Sequence, residues 1–384
     1  MKTIEPYKGF EQGPIRPPSE AESLLIRISR NCPWNKCTFC GLYKGTKFHL
    51  RPVEQVLRDI DTVRFYVDKI QAAESSTGAI SPRDLNNLVS NDSDGDEQAL
   101  YAARNFVASG MESIFIQDGN SLVIKPEDII RILRHLKDAF PQVKRVTSYA
   151  RSHTIARISD ENLSAMAEAG LNRIHIGMES GSDKVLKKVK KGVDKTTQIF
   201  AGQKVKKAGI ELSEYIMPGL GGKKLSVENG RETADAINQI NPDFIRLRTL
   251  ALPPGAPLTA QFEAGDFDKM GEVDTARELL QFLERLDGIT STIRSDHVLN
   301  LFVEVDGILP DDKGKMMQPI REFLELDPSE QMLFCVGRRS HRMARFSDLQ
   351  NPVQRDYAHQ ICRQLGATAD NFDAVIDSLM QRFI

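Results

Sequence analysis

Cysteine is scarce, with five residues in a chain of 384. An odd and sparse count argues against a disulfide framework and suits a reducing compartment. Tryptophan occurs once. No run of 18 apolar residues is present, so no membrane-spanning helix is expected. Neither sign of charge dominates, because 51 Lys and Arg balance 53 Asp and Glu. The net charge of -2 gives no global attraction to nucleic acid or to a membrane surface. The first twenty residues hold Pro14, Pro17 and Pro18 and no apolar core, so neither a signal peptide nor a transit sequence is read there. A cytoplasmic protein is expected.

Three of the five cysteines and the single tryptophan fall within Asn31-Cys32-Pro33-Trp34-Asn35-Lys36-Cys37-Thr38-Phe39-Cys40-Gly41. This stretch follows Leu24-Leu25-Ile26-Arg27-Ile28, whose branched residues suit a buried strand. The thiols therefore sit on a loop leaving a strand's carboxyl end, where α/β folds carry their chemistry. Cys37 and Cys40 have the two-residue spacing of thiolates that grip one metal centre, and Cys32 lies upstream on the same loop. A structural zinc site takes four ligands, and Cys335 and Cys362 are remote and in helix-like sequence. A [4Fe-4S] cluster on three cysteines leaves one iron open, the mark of a reactive centre. On the cysteines alone, zinc and cluster both stand.

The rest of the chain alternates strand and helix. Strands are expected at residues 24–28, 113–116, 143–148, 173–178, 211–217 and 244–250, with helical patterns between them. Six such units predict an α/β fold, a partial (β/α)6 TIM-like barrel with a mainly helical C-terminal extension. The expected organisation is an N-terminal extension over 1–22, a barrel over 23–260 and a helical region over 261–384. A polar insertion at 72–98, around a short helix at 82–89, interrupts the barrel. Its acidic part lacks the glutamate that closes an EF-hand loop, so a solvated loop is expected. In the tail, helices are expected at 275–286, 297–305, 314–326 and twice after Asp348, with an edge strand at 289–294.

The cysteine loop followed by Ile174-His175-Ile176-Gly177-Met178-Glu179-Ser180-Gly181-Ser182-Asp183, with Val185-Leu186 and Lys191-Gly192, resembles the radical S-adenosylmethionine enzymes. The fourth-strand block is similar to that of the methylthiotransferases, the elongator-type catalytic subunit and oxygen-independent coproporphyrinogen oxidase. One departure is visible: four residues, not the usual three, separate Cys32 from Cys37. Phe39, just before the last cysteine, follows the family pattern. The resemblance implies that Cys32, Cys37 and Cys40 bind three irons of a [4Fe-4S] cluster and that S-adenosylmethionine chelates the fourth. It implies contacts from Asp118, Gly119 and Asn120 to the methionyl amine, although these replace the family's glycine-rich motif. It places Glu179, with Ser180 beside it, and Glu214 at the ribose, Lys191 at the methionyl carboxylate, and Ile216, Pro218, Gly219 and Leu250 around adenine. A low-potential electron donor of flavodoxin or ferredoxin type and an unidentified substrate follow as partners.

Plainer readings accompany these. Lys184, Lys187, Lys188 and Lys190 read as a solvated helix face, and His153 and His175 as structural residues. Tyr149 and Arg151 read as strand-end residues able to reach substrate. The basic run from Arg338 to Arg345 reads as a charged surface segment in preference to an RNA contact, since no aromatic residue interleaves to stack bases. No RNA-binding β-barrel, acetyltransferase-like domain or second cysteine triad is found, so the methylthiotransferase and elongator activities do not carry over. The alternative in a different class is a non-catalytic cluster or haem carrier related to coproporphyrinogen oxidase. A weaker one is a zinc-stabilised binding protein.

Overall fold

A computed structural model gives the fold, and it describes residues 6–77 and 95–381. The short helix expected at 82–89 and the acidic residues 91–94 lie outside the described residues. Among the described residues, 6–33, 45–176 and 204–211 form one compact unit, and 34–44, 177–203 and 212–381 form a second.

In the first unit, β1 (Leu24–Arg27) runs parallel to β2 (Ser113–Gln117), with Leu24 opposite Ile114 and Arg27 opposite Gln117. Beyond β2 comes β3 (Arg145–Ala150), and then β4 (Arg173–Glu179), both parallel. Every residue of β2 is buried, as expected of a parallel strand covered on both faces. Helices Val53–Thr77, Glu97–Ala108 and Pro126–Ala139 supply apolar stripes to that core, where Phe106 and Phe140 meet edge to face at 5.4 Å. The helix after β1 continues to Thr77, so the expected polar insertion begins as helix. Ser159 caps helix Asp160–Glu168 as its sequence predicts, accepting from the Asn162 N–H at 3.2 Å.

The N-terminal arm is stitched into this unit. Gln117 accepts from the Gly13 N–H at 2.7 Å and donates to the Gly13 and Ile15 carbonyls. Tyr7 donates to Asp59 at 2.9 Å, and Glu11 pairs with Arg30 and Arg51. Glu20 is fully buried; burial works against its charge, but His175, Arg145 and Ser23 outweigh it and hold the carboxyl below the ordinary range. His175 is thereby structural, as expected.

In the second unit, β5 (Glu211–Ile216), β6 (Phe244–Leu247) and β7 (Thr292–Arg294) are parallel neighbours in that order. The strand expected near 289–294 forms, but β8 (Gly307–Ile308) pairs antiparallel to it, so it is not an edge. The helix expected at 297–305 does not form. Asn300 explains why: its side chain donates to the Leu247 carbonyl at 2.9 Å and accepts from the Thr249 N–H at 3.0 Å. That segment continues the hydrogen bonding of β6 in place of coiling. The tail holds helices Lys313–Glu325, Pro328–Arg339, Pro352–Leu365 and Phe372–Met380; the second, to which the sequence reading gave no bounds, contains the helix-like sequence around Cys335. The α/β class, parallel strands alternating with helices and followed by a helical C-terminal region, stands as expected.

Candidate active site

The cysteine loop and the fourth-strand block meet in the second unit. The Trp34 indole N–H donates to the Lys190 carbonyl at 2.8 Å, across 156 residues of sequence. The ring presses on Gly192, where φ is +73° and a Cβ would collide with the indole. Glycine is required there twice over, for its backbone conformation and for the close approach. Nearby, the Thr38 N–H donates to the Val189 carbonyl at 2.9 Å, and the Thr38 carbonyl accepts from the Leu258 N–H at 2.8 Å. Phe39 packs on the core of Val185, Val189, Met217, Leu220, Leu250, Leu252, Leu258 and Phe267. Ser182 caps the short helix Asp183–Lys188, which turns the chain so that Lys190, Lys191 and Gly192 face the loop from its C-terminal side.

At the end of β4, Glu179 adopts φ +65°, a conformation that costs a non-glycine residue about 1–2 kcal/mol. Its carboxylate folds back over Gly177 and pairs with Lys191 at 3.0 Å. Both side chains are largely buried, and the Lys191 ammonium stands 5.8 Å from the centre of the Phe39 ring. Ser180 is buried and accepts from the Ser182 N–H at 3.0 Å, which makes it a turn former here. Glu214 on β5 is also buried. Burial pushes its carboxyl well above the ordinary range; Lys191 counters that and Glu179 adds to it. Its Oε2 has no hydrogen-bond partner. A buried acceptor left open beside a carboxylate–ammonium pair suits a ligand carrying hydroxyls and both signs of charge.

The residues expected from β2 lie in the first unit. Asp118 has φ +79°, and its buried carboxylate accepts from Arg27 at 2.7 Å. Asn120 accepts from the Arg151 N–H and donates to Thr154, which joins the ends of β2 and β3. Gly119 follows Asp118 at the same strand end. In this state Asp118 and Asn120 hold protein groups, so their expected contacts with a ligand amine rest on the resemblance alone. Cys32 is half-buried in this unit, and Cys37 and Cys40 are half-buried in the second. None of the five cysteines is in a disulfide. Among the described residues, no three His, Cys, Asp or Glu side chains are gathered into a ready metal site.

Sequence reasoning missed Glu278. It projects from helix Glu272–Arg285 and accepts from the Gly219 N–H and from Asn229, each at 2.8 Å. It braces the turn after β5, and burial pushes its carboxyl up to about 7. The signal was a carboxylate within the apolar stripe of Leu279, Phe282 and Leu283. Glu179 and Glu278 line the same pocket. The basic run is corrected as well. Arg339 is buried and paired with Glu272, and Arg338 donates to the carbonyls of Asn300, Leu301 and Met343. Buried helix packing, not solvent, claims those two arginines, and a phosphate surface is ruled out for them.

The model for the radical SAM superfamily matches residues 86–229. The chain is 22% identical over 165 residues to the tRNA uridine(34) acetyltransferase of Methanocaldococcus infernus, a match spanning 43% of this chain and 31% of that protein. Coproporphyrinogen III oxidase (HemN) from Escherichia coli, described as a radical SAM enzyme, is similar at 17% identity and a TM-score of 0.46, over 69% of this chain and 52% of the other. Methylornithine synthase (PylB) is similar at 14% identity and a TM-score of 0.43, over 72% and 66%. The chain thus spans about a third of the curated relative it matches. Over residues 86–229, which take in the fourth-strand block, the chain is thus similar to the radical S-adenosylmethionine superfamily.

Proposed function

We propose that the chain cleaves S-adenosylmethionine reductively and directs the resulting radical at a substrate still to be identified. The observation that carries this is the docking of the cysteine loop on the fourth-strand block, through Trp34 on Gly192 and Thr38 on Val189. The cofactors of the superfamily are a [4Fe-4S] cluster and S-adenosylmethionine, and the donor set here fits them. Cys32, Cys37 and Cys40 would hold three irons, leaving the fourth for a non-protein ligand. When bound, the pair supplies one-electron cleavage of a sulfonium and a carbon radical.

This chain's own groups bind, orient and exclude water. Lys191 is the cation for the methionyl carboxylate, in exchange for part of its pairing with Glu179. Glu179 and the open oxygen of Glu214 accept from ribose hydroxyls, which relieves the orphaned acceptor. Burial disfavours the charged form of Glu214. The turn from Met217 to Gly219, braced by Glu278 and by Leu250, offers an apolar wall to adenine. A dry pocket is what confines a radical to one carbon.

A barrel over 23–260 with the later helices choosing the substrate remains our reading of the domain plan, and the cluster chemistry fits a reducing cytoplasm. No described helix is long and apolar enough to cross a membrane. Acetyl transfer is not proposed, since the match reaches only a third of the acetyltransferase. Anaerobic reconstitution, reduction with dithionite and chromatography for 5'-deoxyadenosine test the proposal. Iron and sulfide uptake without that product, under several reductants, counts against it, and stoichiometric haem binding in its place favours the carrier.

A further inference from the structure

The N-terminal arm crosses the end of β2, and polar contacts hold it there. Phe10 and Pro17 are buried, while none of residues 11–16 between them is. The Phe10 N–H donates to Asp96 at 2.5 Å, and beyond Pro17 the buried Glu20 meets His175 at 3.2 Å. Both ends are therefore fixed. Between them, Gln117 uses its whole amide on one short stretch: it accepts from the Gly13 N–H at 2.7 Å and donates to the carbonyls of Gly13 at 3.1 Å and Ile15 at 2.9 Å. Glu11 adds ion pairs with Arg30 at 2.8 Å and Arg51 at 2.7 Å. Gly13 lies against the Arg27–Asp118 pair so closely that a Cβ built on it would stand 3.0 Å from Asp118 Oδ1 and 3.3 Å from Arg27 Nε. The Asp118 carboxylate has no exposed surface under this cover.

We infer that residues 11–16 form a strap that closes the end of β2, and that the ammonium group of a ligand reaches Asp118 only when the strap opens. The inference rests on the reading above and on the resemblance that places Asp118 at the methionyl amine, and it adds the regulation of that contact. The strap is the part that gives way. Its hold consists of hydrogen bonds and a partly exposed ion-pair cluster, with no buried side chain, and segments of that kind open locally at low cost. Anchored at Phe10 and Pro17, it can lift without leaving. Arg27 holds Oδ2 of Asp118 and Gly13 stands over Oδ1, so lifting the strap opens the Oδ1 side while Arg27 stays in place. An ammonium arriving there gains a charge-assisted bond to a carboxylate already desolvated. The closed strap and the bound ammonium exclude each other, so the closed fraction lowers the apparent affinity in proportion.

The test uses the full chain, reconstituted and with iron content matched between variants. Hydrogen exchange read by mass spectrometry follows the amides of residues 11–16 without and with S-adenosylmethionine. Saturating ligand should speed exchange there by about tenfold or more in the wild type. Gly13→Val, which crowds Asp118, and Glu11→Gln, which removes both ion pairs, should each speed it without ligand and tighten S-adenosylmethionine binding by about threefold to tenfold in equilibrium dialysis. 5'-Methylthioadenosine, which lacks the methionyl end, should bind all three proteins alike. Using two unrelated changes guards against a folding defect in one of them. Exchange that S-adenosylmethionine does not move overturns the inference, and so does a shift in affinity shared equally by the two ligands. Variants with raised exchange that bind S-adenosylmethionine no tighter than the wild type overturn it as well, since the arm would then only brace the fold. No binding of S-adenosylmethionine to the wild type instead sinks the reading on which the inference stands.

Discussion

The Trp34 indole N–H is hydrogen-bonded to the Lys190 carbonyl at 2.8 Å, and the ring closes over Gly192. This contact uses the stretch in which the cysteine spacing departs from the family. The four residues between Cys32 and Cys37 include the one that locks the loop to the turn after β4. The longer spacing therefore has a local structural use.

Gly192→Ala should expel the indole. At φ +73° a Cβ is strained and would also collide with Trp34, so a loss of about 1–3 kcal/mol in stability is expected by urea denaturation. Iron content after reconstitution should fall with it. In Trp34→Ala the same glycine substitution should cost less, because the collision is gone; equal costs in both backgrounds would falsify the contact's role.

Iron and acid-labile sulfide should be lost on Cys32→Ser, Cys37→Ser or Cys40→Ser and retained on Cys335→Ser. The Cys335 thiol is buried in helix Pro328–Arg339, and burial pushes its titration well up, so it is a poor ligand. A cluster that survives any of the first three changes would mean a different ligand set.

Glu278 ties stability to pH. Its folded carboxyl titrates at about 7 against an ordinary 4.5, with burial as the leading cause. A group whose titration is raised in the fold favours folding fully below the unfolded value, and that contribution is lost as pH rises through the folded value. The wild type should therefore lose on the order of 3 kcal/mol between pH 4.5 and 8 from this residue. Glu278→Gln, which keeps an acceptor for Gly219, should flatten that part of the profile in urea titrations at stepped pH.

S-adenosylmethionine binding should separate Glu214→Gln from Glu214→Ala. The amide keeps an oxygen for a ribose hydroxyl and should hold affinity within about threefold, while the alanine leaves a cavity and should weaken binding by about tenfold. Equilibrium dialysis on the reconstituted enzyme distinguishes them, and indistinguishable affinities would remove Glu214 from the ribose.

Lys191→Met should weaken the same binding by about tenfold or more, since a partly buried cation for a carboxylate is lost. Stability should fall too, because Glu179 keeps a mostly buried charge without its partner. The loss in affinity should persist when stability is restored by glycerol.

The strand–helix alternation was legible because buried parallel strands are continuous apolar runs and their helices have clear caps, as at Ser159, Ser182 and Gly170. The cysteines, Glu179 and Lys191 were legible because they stand in local blocks. Glu278 and Asn300 were not, because they act on backbone groups 59 and 51 residues away, respectively, that only the fold brings near. The false helix at 297–305 has the same origin: a helical period was present, and a side-chain amide bonded to β6 overrode it. Arg338 and Arg339 misled because charge in a run reads as surface, whereas Glu272 and three carbonyls satisfy them inside.

The clamp that Asn300 places on Leu247 and Thr249 means that the C-terminal third is not severable. A chain cut after residue 260 would strip β6 of its β7 neighbour, uncover the backbone at its end, and release the Gly219 turn from Glu278. Such a fragment would keep every motif by which the family is recognised and still lack a finished binding wall. Motif content and foldable unit are different lengths of this sequence.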